Sequence, residues 1–193
     1  MDKNTFIEIL NKGSDKLVYR DMLVDASLKN PAWIGILLNF INNINDENST
    51  FPARILELSC RKDLTLILPF LDAFCAVLPR VTFDGVVRPC AKICELLMIA
   101  YFNKKDSVFL KSISHDHLKK ITEVSFDWMI TDKATAIQAY TMQTLYLLGS
   151  KFDWIHQELA LTIEKKLPNG STGYKNRGRK VLKAIATGNR LKL

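Results

Sequence analysis

Residues 131–166, TDKATAIQAYTMQTLYLLGSKFDWIHQELALTIEKK, constrain this chain more than any other stretch. They read as two amphipathic helices of similar length, joined by a tight turn at Gly149–Ser150. Such a hairpin cannot bury its own apolar faces, so neighbouring helices must cover it. Helix signals do recur along the rest of the chain. Gly13 ends a first helix that Thr5 and Glu8 open as a capping box. Ser14 or Asp15 caps the next helix, and Asn30–Pro31 starts another as N-cap and first helical residue. Trp33, Ile34, Leu37, Leu38 and Ile41 trace its apolar face, and a polar loop over 42–49 follows. No segment alternates apolar and polar residues long enough to suggest a strand, so an all-α fold is predicted.

Part of the hairpin has two upstream echoes. Ala139-x-x-x-Gln143 is matched by Ala53-x-x-x-Glu57 and Ala91-x-x-x-Glu95, at offsets of 38 residues (53 to 91) and 48 (91 to 139). The small residue lets neighbouring helices approach, and the Glu or Gln one turn later is expected at a solvated edge. The second helices are predicted over 64–78, capped by Asp63 and kinked at Pro69; over 115–130, capped by Ser114; and over 154–166, capped by Asp153. Residues 81–87 and 103–112 read as connecting loops, the latter with room for a short turn of helix.

Ala139, Met142, Leu145 and Leu148, followed by Trp154, Leu159, Leu161 and Ile163, resemble the HEAT-like and armadillo-type family of α-helical repeats, whose spacing is roughly 40–47 residues. The resemblance implies a right-handed α-α superhelix whose second helices line a concave surface. The whole chain, 1–193, would be one domain, with N-terminal helices over 1–45, about three helix pairs over 50–166, and a basic capping helix over 171–187. Candidate groove residues on that reading are Lys119, Lys120 and Glu123 on one second helix, and Gln157 and Glu158 on the next.

Charge is concentrated at one end. Residues 1–164 hold 18 Lys+Arg against 20 Asp+Glu, whereas residues 165–193 hold nine basic residues and no acid. In the latter, Tyr174, Gly178, Val181, Leu182 and Ile185 form one helical stripe. Lys175, Arg179, Lys180 and Lys183 fall largely outside it, and Arg177 borders it. Gly178 points to a close helix contact, and Gly188 ends the helix. Capping the array explains these features; so does binding phosphate or an acidic partner, and one outer face serves both roles.

Catalytic signatures are absent. No phosphate-binding glycine motif, nucleophile elbow or H-E-x-x-H occurs, nor the S-S-x-M-P-x-K-x-N loop of all-α lyases. Ser114–His115–Asp116–His117 reads as a polar helix start, and Cys60, Cys75, Cys90 and Cys94 as reduced core residues. Asp127–Trp128 and Asp153–Trp154 invite comparison with HEAT-like DNA-alkylation-repair glycosylases. Asp153 reads as an N-cap, however, and Trp154 as a core residue fixing the turn, so no catalytic role is transferred. No membrane span or secretory leader is evident. The expectation is a cytoplasmic, non-enzymatic module without cofactor that binds a protein partner. The alternative is a nucleic-acid-binding or repair-related protein using the basic helix.

Overall fold

A computed structural model describes residues 1–13, 17–43, 47–131, 133–188 and 191. Among them there is no strand, as the sequence predicts, and eleven α-helices carry the chain. None is long and apolar enough to cross a membrane. The helices fall into two compact units, Met1–Leu96 and Leu97–Leu193.

The first unit contains α1 (Lys3–Lys12), α2 (Leu17–Lys29), α3 (Ile34–Asn43), α4 (Thr50–Lys62), α5 (Leu71–Val77) and most of α6 (Asp84–Met98). Helix α4 packs on α2 and α3, with α5 against α3. Asp2, rather than Thr5, caps α1, its carboxylate accepting from the Thr5 backbone at 3.0 Å, while Glu8 pairs instead with Lys12. Gly13 closes the helix in the left-handed region at φ 60°, as does Gly188 at the other end of the chain at φ 62°. Asn30 makes no side-chain cap: its amide donates back to the Ala26 carbonyl, and Pro31–Trp33 is a 3-10 turn ahead of α3. The expected caps Ser14 and Asp15 lie outside the described residues.

Two predicted loops are shorter than expected. Helix α6 already begins at Asp84, and at its far end it widens into a π turn, Ile99–Lys104. Lys105 terminates that turn at φ 51°, and α7 (Ser107–Ser112) follows. The expected helix over 64–78 is split instead. Asp63 caps it as predicted, but Pro69 has no N–H to continue an α ladder, and the chain runs as a 3-10 segment, Leu64–Phe70, before α5.

Glu57 and Glu95 are not at a solvated edge; they are 1% and 2% exposed. Ala53, Glu57 and Cys60 recur at i, i+4 and i+7 on the buried face of α4, so the carboxylate is carried into the core. Arg54 and Arg61 both reach it, each at 2.6 Å, and Lys92 does the same for Glu95. Buried carboxylates are tolerated when paired in this way.

All four cysteines are buried thiols, as the apolar pattern predicts. Burial pushes the Cys90 thiol up to about 12 and also raises those of Cys60 and Cys94. At pH 8 the thiolate fraction of Cys90 is then on the order of one in ten thousand. Native protein treated with a chromogenic disulfide reagent at that pH is expected to show no fast-reacting thiol, and denatured protein four. Rapid release of even one equivalent from the native fold would contradict this burial.

Candidate functional site

The second unit holds the predicted site residues. It comprises the π turn, α7, α8 (His115–Ile130), α9 (Thr135–Leu148), α10 (Trp154–Lys166) and α11 (Thr172–Thr187), with α8, α10 and α11 all packed on α9 and α10 also against α11. Ser114 caps α8 as expected. Its hydroxyl accepts from the His117 backbone at 3.2 Å, and His117 Nδ1 accepts the Ser114 N–H at 3.1 Å. One histidine of the Ser114–His117 run is therefore part of a capping box.

The turn between α9 and α10 is as tight as its sequence suggests, but its capping differs. Asp153 has helical dihedrals and makes no side-chain cap. His156 fastens the turn instead: its Nε2–H donates to the Tyr146 carbonyl at 2.8 Å, and its ring stacks on Tyr146 at 5.3 Å. A carbonyl can only accept, which fixes the tautomer.

Trp154 is the main correction to the predicted core. It is 53% exposed, as is Leu161. Ile155, Leu159 and Ile163 form the buried stripe of α10, while Trp154, Glu158, Leu161 and Lys165 follow i, i+4, i+7 and i+11 on the solvent face. The indole stacks on Phe126 of α8 with centroids 5.4 Å apart, and Phe152 meets the His115 ring at the same distance. Together Lys119, Thr122, Glu123, Phe152 and Trp154 line a surface depression of about 230 Å³. Two predicted groove residues, Lys119 and Glu123, are thus brought together. Lys120, Gln157 and Glu158 are exposed but do not line it. Sequence reasoning missed Phe126 and Phe152. The signal for Trp154 was its position one residue off the α10 core stripe.

Helix α11 forms the second feature. Ser171 caps it, and the Ser171 and Thr135 hydroxyls share a hydrogen bond of 2.8 Å that ties α11 to the start of α9. Tyr174, Gly178, Val181 and Ala184 are buried. A Cβ at Gly178 would lie 2.8 Å from Ile163 Cγ2, the close contact expected of this glycine. Arg179, Lys180 and Lys183 are exposed, and Lys175 is half-buried. Arg177 has a structural partner, its Nη1 donating to Gln143 Oε1 at 3.0 Å. Gln143 is 1% exposed, not at a solvated edge. Thr135, Ala136, Ala139, Gly173, Asn176, Arg177 and Lys180 line a groove of about 450 Å³ between α9 and α11.

No protein-family model, curated protein or solved structure matches the chain.

Proposed function

We propose that the second unit is a HEAT-like stack of helix pairs serving as a non-enzymatic docking module for a protein partner. The surface of α8 and α10, the second helices of successive pairs, is the docking face. The observation that carries this reading is the exposed Trp154 stacked on Phe126 beside the depression. A half-exposed indole held rigid by a ring neighbour, with Lys119 and Glu123 supplying opposite charges at its rim, has the composition of an interface hot spot. The hairpin α9–α10, flanked on α9 by α8 and α11, supports the repeat reading. Four buried thiols suit the reducing cytoplasm.

A photo-crosslinking residue at Lys120, exposed but outside the depression, would test this in lysate of the native cell. A discrete adduct is expected, competed away by unlabelled native protein and at least about tenfold less well by Trp154→Ala, the loss typical of a hot-spot aromatic. Equal competition by the two proteins, with the variant's helical content intact, would overturn the assignment.

A further inference from the structure

We infer that the groove between α9 and α11 binds the phosphodiester backbone of a nucleic acid through its phosphates, without reading bases. This site lies on different helices from the docking face of α8, and its ligand class is independent of that reading.

The groove's floor and walls suit a phosphate. Ala136 and Ala139 keep one side low, which leaves room for a tetrahedral anion beside Arg177 and Lys180. Arg177 and Lys180 supply charge, and Asn176 and Thr135 supply neutral polar groups; among the described residues no carboxylate lines the groove. Arg177 is held by a neutral amide, Gln143, rather than by an acid, so its fork is oriented while its charge stays uncompensated. Gln143 is itself buried, which makes that orientation a fixed feature of the fold.

The cations extend beyond one phosphate. Asn176, Lys180 and Lys183 lie at i, i+4 and i+7 on the exposed face of α11, with Arg179 beside them. Among the described residues, none of Arg177, Arg179, Lys180 and Lys183 forms an ion pair. A line of cations without acidic partners among the described residues, leading out of a groove of about 450 Å³, matches a polymer with regularly repeated charge.

Competing polyanions fit less well. An anionic membrane would need an apolar helix face to insert, but that face of α11 (Tyr174, Gly178, Val181 and Ala184) is already buried. An acidic protein would need apolar anchors, and no large apolar residue of α11 is exposed. Among the described residues no aromatic lines the groove, and the sole aromatic of α11, Tyr174, is buried, so bases have nothing to stack on. Backbone contact alone carries no sequence information.

The test is fluorescence anisotropy with a labelled duplex of about twenty base pairs over a salt series. Four phosphate contacts predict a slope of about −3 to −4 in log affinity against log salt, unchanged when the duplex sequence is scrambled. Lys180→Gln with Lys183→Gln is expected to weaken low-salt binding more than tenfold and to flatten the slope by about 2. Both positions are exposed, so the fold is retained, as circular dichroism would verify. Lys111→Gln, an exposed cation on α7, is expected to leave the slope unchanged. The assignment is overturned if no binding occurs at low salt, or if the double variant binds as the native protein does. It is equally overturned if a single strand is preferred with base-dependent affinity, or if phosphatidylserine vesicles bind and the duplex does not.

Discussion

Replacing both Arg54 and Arg61 with alanine is expected to destabilise the protein by roughly 2–4 kcal/mol. Glu57 is almost fully buried, and both its carboxylate oxygens are engaged, Oε2 by Arg54 and Oε1 by Arg61. Removing both guanidinium groups strands a charge in the core, and breaking a buried pair costs about 3–5 kcal/mol. The expected figure is set lower because 29% of the Arg54 side chain and 40% of that of Arg61 reach solvent, where screening weakens the pairs. The sign of a second substitution makes the argument specific. Adding Glu57→Leu to the double variant should restore stability, because an apolar residue of similar volume needs no countercharge. Urea denaturation followed by circular dichroism measures both. A triple variant less stable than the double variant would mean that Glu57 contributes something other than a paired charge.

That cluster also marks how far the chain could be read without coordinates. The A-x-x-x-E/Q echo picks out buried helix positions at Ala53 and Ala91 but not at Ala139, which is half-buried and lines the α9–α11 groove. It misplaced the acidic residue, because a carboxylate one turn from a core alanine shares its face and must follow it inward. For Glu57 the correction was available locally: Arg54 and Arg61 stand three residues before and four residues after, within ion-pairing reach on a helix. For Gln143 it was not. Its partner Arg177 is 34 residues away, and no periodicity announces a contact between two helices. The basic face of α11 was legible because its apolar stripe repeats cleanly. The aromatic depression was legible only in part, because Phe152 lies in the turn, where period says little. Residue type places Trp154 in the core, but its register excludes it from the stripe of Ile155, Leu159 and Ile163.

Gly149→Ala is expected to cost about 2 kcal/mol, although alanine is ordinarily the better helix former. The dihedrals of Gly149 are helical, so backbone freedom is not what requires glycine there. Space is the reason. A Cβ at this position would lie 2.1 Å from Cδ2 and 2.2 Å from Nε2 of His156, so the imidazole must leave its place. Displacing it breaks the hydrogen bond to the Tyr146 carbonyl and the stack on the Tyr146 ring, the contacts that fold α10 back onto α9. Overpacking of this kind costs about 1–3 kcal/mol, partly offset by the lower unfolded-state entropy of alanine. If the clash is the cause, the two residues must be coupled. Gly149→Ala combined with His156→Ala should then be less destabilised than the sum of the single variants by at least about 1 kcal/mol. Strict additivity in a double-mutant cycle would show that the ring does not occupy the space above Gly149. The same turn sets Phe152 and Trp154 against α8, so loosening it should also weaken partner capture. That would tie the stability of the hairpin to the surface it presents.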